Sequence, residues 1–377
     1  MDQSDAVIIG GGPAGSTCAR ALTARGMDVI LMDKQTFPRD KVCAGWITPA
    51  VVDELELDLQ DYARANTLQP LNGFRVSMLG ESDVLTRYPD TVSYGIRRCE
   101  FDYYLLQRCG ARIVSGQSLK QIRRENGQWI INDTIRSPLL IGAGGHFCPV
   151  ARHLGARPGT SEPAVTAQEI EFRMDEAQQQ QCAVQAEIPE LFFCRDLKGY
   201  GWVFRKGAYL NIGLGRQDTH KLGGHVDEFI ASLKAAGRIP ANLPDRMHGH
   251  AYLLYGDAPR PLLDDGVLLI GDAAGLAYAQ SGEGIRPAIE SALMAASVIL
   301  HAEGDYRQEN IQDYEKQIVR RFGARDQRHA LSPAGWLPPS LVRYLASKLL
   351  ANPWFSRHMV LDRWFFHLHQ PPLSVGS

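Results

Sequence analysis

Between Asp5 and Lys34 the chain reads Asp-Ala-Val-Ile-Ile-Gly-Gly-Gly-Pro-Ala-Gly-Ser, a helical stretch, then Met-Asp-Val-Ile-Leu-Met-Asp-Lys. No other segment limits the fold as strongly. Ala6–Ile9 is a short apolar run suited to a buried parallel strand. Gly10, Gly12 and Gly15 stand at the G-x-G-x-x-G spacing, with Pro13 and Ala14 between them. In such a turn the first glycine allows the tight bend. The second lets backbone approach a pyrophosphate, and the third lets helix pack on strand. Ser16–Arg25 reads as the helix, with Ala19, Ala21 and Leu22 available to face a sheet, and Gly26 stops it. Val29–Met32 is the second strand. Asp33 at its end is placed to accept hydrogen bonds from adenosine ribose hydroxyls, with Lys34 beside it. A lone glycine triplet is a weak signal; strand, helix, strand and acid in order predict a bound dinucleotide. Whether it is FAD or NAD(P) stays open at this point.

The 377 residues suit one large or two intertwined domains. Apolar content of 45% and charged content of 22% are ordinary for a globular protein. A formal net charge of −2 gives no reason to expect nucleic acid as a partner. Seven scattered cysteines form no C-x-x-C, so neither a zinc site nor a dithiol pair is expected, and a reducing, cytoplasmic setting fits. No signal peptide or membrane span is expected. From Lys316 onward nine Lys/Arg face only Asp326 and Asp362, and Trp336, Trp354 and Trp364 lie in that stretch.

Pattern changes divide the chain into interleaved pieces. Helical, acidic sequence (Pro49–Ala65) follows the opening unit. Phe74–Met78 and Val84–Tyr88 alternate like strands. Phe101–Arg108 reads as a helix; Arg112–Ser115, Trp129–Ile131 and Leu139–Gly142 read as strands. Residues 163–217 are strand-rich: Val165–Met174, Cys182–Ile188, Leu191–Arg195, Tyr200–Arg205 and Tyr209–Gly215. A helix is expected at Val226–Ala236, a strand at Val267–Ile270, and a long helix over Gly284–Leu300. Alternating strands and helices argue a parallel sheet; the block at 163–217 argues a separate antiparallel sheet.

A second motif reads Val267-Leu-Leu-Ile-Gly-Asp-Ala-Ala-Gly-Leu, followed by Ser281-Gly-Glu-Gly-Ile-Arg. The strand ends at Gly271, leaving Asp272 at its carboxyl end, where ligands bind in open α/β sheets. Asp272 is placed to bond a ribityl hydroxyl near the pyrophosphate. The next helix starts near Gly282, Gly284 and Ile285, where free N–H groups and the positive dipole end suit the anionic edge of a reduced flavin. Together the two motifs resemble the FAD-binding core shared by aromatic-ring hydroxylases, flavin halogenases and geranylgeranyl reductases. In that superfamily an arginine followed by Phe-Asp and a helix approaches the FAD; Arg98 of Arg98-Cys-Glu-Phe-Asp is the match, and Arg97 competes. Gly144 stands where the hydroxylases carry an aspartate that helps bind FAD and NADPH.

Gly199-Tyr-Gly-Trp-Val-Phe-Arg resembles the Tyr-x-Trp-x-Phe-Pro signature of geranylgeranyl reductases, with Arg205 in place of proline. Alternation puts Tyr200, Trp202 and Phe204 on one strand face. Phe37-Pro-Arg-Asp-Lys-Val-Cys-Ala-Gly-Trp matches the family's cysteine loop near the flavin through Cys43 and Gly45, with Ala44 for the usual glycine. The halogenase motifs Gly-Glu-Ser and Trp-x-Trp-x-Ile-Pro are absent.

The resemblance implies an α/β chain: a Rossmann-like FAD-binding domain with a parallel sheet (1–70, 96–160 and 251–320), interrupted by an antiparallel-sheet substrate domain (71–95 and 161–250). A helical C-terminal segment (321–377) follows. It implies an FAD-dependent oxidoreductase reducing carbon–carbon double bonds of an isoprenoid or lipid-like substrate by hydride transfer from flavin N5. Cys43, Tyr200 and Trp202 are the expected catalytic residues; Trp46, Trp202, Phe204 and Tyr278 the expected substrate contacts. NAD(P)H or a redox protein supplies electrons. A flavin monooxygenase and a flavin-containing binding protein are the rival readings. The aromatic, basic tail over 336–368 reads either as a peripheral membrane contact at the inner face or as a cap on the substrate domain.

Overall fold

The structure is a computed structural model, and it describes residues 1–159, 162–218, 221–257, 260–325 and 338–373; Trp336 lies outside these. Ala6–Ile9 runs through the middle of a six-stranded sheet ordered Leu263–Asp264, Val267–Leu269, Leu139–Gly142, Ala6–Ile9, Val29–Asp33, Arg112–Ser115. Every neighbouring pair is parallel except the first. Val, Ile and Leu fill its central strands because both faces are covered. Helices Pro13–Thr23 and Ile285–His301 pack against each other on this sheet. Parallel order brings Gly10, Asp33 and Asp272 to one sheet edge, the carboxyl edge.

A seven-stranded sheet runs His248–Tyr252, Val165–Arg173, Tyr209–Arg216, Gly199–Lys206, Glu190–Phe193, Gly73–Met78, Val84–Arg87. It is antiparallel apart from the pair Glu190–Phe193 and Gly73–Met78. Period-two alternation splits its side chains between two cores. Ile170, Val203, Ile212 and Leu214 pack under the helix Leu222–Ala235. Ala167, Trp202, Phe204 and Leu191 face the other way, toward Trp46 and the tail. The tail is helical: Pro339–Leu350, Pro353–Phe355, then a wider-wound π-helix Ser356–Phe365. Its end is clamped to the nucleotide half. Arg286 donates to Gln370 O (2.8 Å) and Pro371 O (3.1 Å), and Leu373 N donates to Glu54 Oε1 (3.1 Å).

Several expectations need correction. Cys182–Ile188 is not a strand; the helix Glu176–Gln181 precedes it, started by a reciprocal capping box of Asp175 and Gln178. Pro49–Ala65 is two helices, Pro49–Glu54 and Leu59–Ala63, because Glu56 takes φ 48° and Asp58 caps a new start. The 250/251 boundary cuts the strand His248–Tyr252, which pairs with Val165–Arg173 and so belongs to the larger sheet. Likewise the 320/321 boundary cuts the helix Asp313–Phe322. In the three- and four-stranded sheets only Gln128–Ile131 matches an expected strand; others, such as Ile122–Glu125 and Leu68–Leu71, have no alternation long enough to read.

Candidate functional site

One cavity runs from the glycine turn to the floor of the seven-stranded sheet. Gly10, Gly12, Asp33, Arg98, Asp272 and Gly284 border it at one end, and Cys43, Trp46, Tyr200 and Trp202 at the other. The three fingerprint glycines have different causes. Gly10 takes φ +116°, and a Cβ there would meet Ala143 O at 2.3 Å. A Cβ on Gly15 would lie 1.8 Å from Gly10 O, so this glycine lets helix close onto turn. Gly12 has no such reason: the first atom a Cβ would meet is Arg39 Nη2, at 3.5 Å. Its bareness opens the backbone toward the cavity, as a pyrophosphate requires. Asp33 is preset, its Oδ2 accepting from Gly11 N (2.7 Å) and Oδ1 from Gln35 N (2.8 Å). These features fit the adenosine diphosphate half of FAD.

Further in, Arg98 is held by a two-pronged contact to Asp102 (2.8 and 3.0 Å), with Arg39 also on Asp102 at 3.3 Å. Burial opposes the Arg98 charge, but Asp102 more than offsets it and the guanidinium stays protonated. Arg97 instead pairs with Glu100 (2.7 Å) and lies over the Tyr209 ring, away from the cavity. Asp272 lies 3.8 Å from His250 Nε2, and His250 lies 2.5 Å from Lys41 Nζ. Burial alone would raise Asp272; His250, Lys41 and Arg98 hold it below the usual carboxylate range. Burial pushes Lys41 down to about 8 against the pull of Asp272. Burial and then Lys41 push His250 down to about 4, so its imidazole is neutral at pH 7.

The helix Ile285–His301 does begin at the cavity, but its N–H groups are not all free. Glu283 Oε1 accepts from Arg286 N at 2.7 Å. Burial lifts the Glu283 carboxyl to about 7. Gly284 lets the turn pass close to Asp272, since a Cβ there would sit 3.1 Å from Oδ1.

The sheet floor is shaped by glycines of another kind. Trp202 pairs across the sheet with Gly213, and a Cβ on Gly213 would lie 2.2 Å from its ring. The indole therefore lies flat over Gly213 and reaches Gly215. Its Nε1 donates to Asn211 Oδ1 (2.8 Å), and Asn211 Nδ2 donates to Cys43 O (3.1 Å) and reaches Glu169 Oε2 (3.4 Å). One buried amide thus joins the aromatic floor to the cysteine loop. Beneath it Lys206, 1% exposed, pairs with Glu171 at 2.8 Å, and a Cβ on Gly45 would meet its Nζ at 2.5 Å. Burial raises Glu169 to about 8, so it is protonated at pH 7, whereas Lys206 keeps Glu171 ionised despite burial. Tyr200 donates its hydroxyl to Ser281 O (2.5 Å), and burial raises it well above the usual phenol range. That proton is committed, which argues against Tyr200 as an acid.

Of the expected residues, the cavity gathers Gly10, Gly12, Pro13, Ala14, Asp33, Lys34, Arg98, Asp272, Gly282, Gly284 and Ile285, with Cys43, Trp46, Tyr200 and Trp202. Gly15 and Gly271 act from behind, by letting backbone and helices pack; a Cβ on Gly271 would sit 3.0 Å from Ala14 Cβ. Two substrate expectations are corrected. Phe204 is fully buried against Trp46 (4.7 Å between rings), and Tyr278 stacks on His367 (3.6 Å) and bonds Gln370 Oε1 (3.1 Å); neither borders the cavity. Arg39, Lys41, His146, His250, Tyr252 and Glu283 border it without having been anticipated. Arg39 and Lys41, inside the cysteine loop, and Glu283, inside the second glycine motif, carried a signal by proximity; His250 arrives from a sheet edge 209 residues beyond Lys41, with Tyr252 on the same strand.

Comparisons with known proteins agree with this architecture. Residues 5–82 match the FAD dependent oxidoreductase family. The chain is 28% identical over 337 residues to a menaquinone reductase of Mycobacterium tuberculosis, covering 79% of this chain and 77% of the relative. It is 25% identical over 331 residues to a digeranylgeranylglycerophospholipid reductase of Methanocaldococcus jannaschii, covering 84% and 82%. A crystal structure of a geranylgeranyl bacteriochlorophyll reductase-like protein from Thermoplasma acidophilum superposes with a TM-score of 0.78 at 22% identity, covering 97% of both chains.

Proposed function

We propose that this FAD-dependent oxidoreductase of geranylgeranyl reductase type saturates carbon–carbon double bonds in the chain of an isoprenoid or similarly apolar lipid. The observation that carries the reading is the continuity of one cavity, from the bare Gly12 turn to the flat Trp202 indole facing the Cys43 loop. Two relatives named for lipid substrates support the choice of substrate class. Bound and reduced FAD supplies a hydride from N5; its electrons come from NAD(P)H or a redox protein docking transiently. Gly10, Gly12, Asp33 and Arg98 would hold the nucleotide half, and Asp272, Gly284 and Ile285 the ribityl and ring half. Trp202 and Tyr200 offer an apolar, dry floor that orients an alkene, as a poor hydride acceptor demands. Cys43, which borders the same cavity, is the candidate to give the proton needed at the second carbon, and the Asn211 bond to its carbonyl supports its loop.

Titrating the oxidised flavoprotein with geranylgeraniol tests the substrate class. A saturable shift of the flavin absorbance, lost in Trp202→Leu with FAD content intact, is expected. No shift, or an equal shift in the variant, overturns the assignment. Rapid, saturable flavin reduction by NADPH alone identifies the pyridine nucleotide as donor and excludes an obligatory redox protein.

A further inference from the structure

Twelve large apolar side chains are exposed among the described residues, and six of them lie between Leu341 and Leu368. Four belong to one helix, Pro339–Leu350: Leu341 (40% exposed), Tyr344 (59%), Leu345 (43%) and Leu349 (46%). Spacings of three, four and eight residues put them on one side of the helix. Trp354, 63% exposed, follows directly after it. The helix's other side, Ala346 and Leu350, is already used, packing in the cluster that contains Trp46 and Trp202. The outward stripe is therefore not needed to hold the helix in place.

Its charges select the occupant. Lys348 sits within the stripe, its Nζ 5.6 Å from the Tyr344 ring centre, and Arg343, Arg357 and Arg363 are the other bases of residues 338–373. The single acid there, Asp362, is engaged by the Tyr88 hydroxyl (2.6 Å) and His358 Nδ1 (3.0 Å). Exposed Leu, Tyr and Trp with bases at the same level suit the boundary between lipid headgroups and acyl chains. A second copy of the chain fits less well, because this helix would then meet a surface like its own, and Pro339–Leu350 carries Arg343 and Lys348 but no acid to answer them. No helix among the described residues is long and apolar enough to cross a membrane, so the contact lies on the surface.

We propose that the Leu341–Leu349 stripe, with Trp354, docks this protein on an anionic lipid surface. The docked helix then lies between the lipid and the aromatic cluster bordering the cavity, a short transfer for an apolar chain. That role in substrate supply rests on the reading of the cavity given above; the lipid contact itself does not.

Sedimentation of the full-length flavoprotein with vesicles tests the contact. Binding to phosphatidylglycerol–phosphatidylcholine vesicles is expected, with weaker binding to phosphatidylcholine alone and weakening as salt rises. Leu341→Ser/Leu345→Ser/Leu349→Ser should lose binding to both by roughly tenfold or more, and Arg343→Glu/Lys348→Glu should lose the preference for anionic lipid. Both variants change exposed side chains, so flavin content and turnover of a detergent-dispersed substrate should stay at the parent level. If the parent stays in the supernatant with both vesicles, the proposal is wrong. A concentration-dependent dimer that the triple-serine variant abolishes also overturns it, by assigning the stripe to a second copy. Vesicle binding without any alkene reduction would keep the docking surface and remove only the cavity reading.

Discussion

Glycines shape both ends of the cavity, for opposite reasons. In the nucleotide half they answer to backbone: Gly10 and Gly15 let a strand, a turn and a helix approach to distances a Cβ forbids. In the sheet floor the glycine answers to a side chain: Gly213 clears a flat bed for one indole. The first half is a general holder, specified locally in about 30 residues. The second is fitted to what lies on it, and its parts come from distant strands. Cofactor binding and substrate recognition should therefore fail separately when each set is altered.

The largest effect is expected in the holder. Gly15→Ala drives a Cβ into Gly10 O and should cost about 3 kcal/mol or more, read as lost expression or a lowered Tm. Gly12→Ala should keep stability within about 0.5 kcal/mol yet weaken FAD binding by roughly tenfold, because its empty face serves the ligand. Equal losses of stability in the two variants would erase the distinction drawn between these glycines.

In the floor, Gly213→Ala displaces the Trp202 ring at an expected cost of about 1–3 kcal/mol. FAD content should not change, while KM for the apolar substrate rises. Asn211→Leu leaves Trp202 Nε1 and Cys43 O without their partner, a cost of about 1–3 kcal/mol. Its more telling readout is the alkylation rate of Cys43 by iodoacetamide, which should change together with Trp202 fluorescence. An unchanged rate would detach Asn211 from the cysteine loop.

A further expectation concerns pH. Glu169 is raised to about 8 by burial, so the folded state holds a proton that the unfolded chain releases near pH 4.5. Its contribution to stability is full below that value and is lost as pH rises toward 8. Glu169→Gln should flatten this fall between pH 5 and 8 in denaturant titrations, with flavin binding unaffected. A parent protein whose stability rises over that range, and a variant that rises with it, would contradict the assignment.

How far each half could be read from the sequence follows the same division. The Gly10–Gly15 turn, Asp33 and Asp272 were legible because tight turns and strand ends impose residue types at short spacing. Trp202 and Tyr200 were legible as an alternating strand face. Phe204 shares that face but lies one pair deeper, under Trp46, and alternation does not report depth. Asn211, Glu169 and Lys206 meet only through sheet register, which no local pattern specifies. His250 and Tyr252 come from an edge strand too short to alternate clearly. Tyr278, which follows the Asp272 motif closely in sequence, turns away because the chain end supplies His367 and Gln370 as its partners.

On the proposed reading, the two ends of this cavity act together in reducing an alkene. Its most direct test is a single turnover under argon: photoreduced flavoprotein is mixed with an isoprenoid, and flavin reoxidation is compared with double bonds lost by mass spectrometry. One double bond saturated for each flavin reoxidised is expected, with no oxygen in the product. Reoxidation that requires air and yields an oxygen-bearing product would contradict that reading.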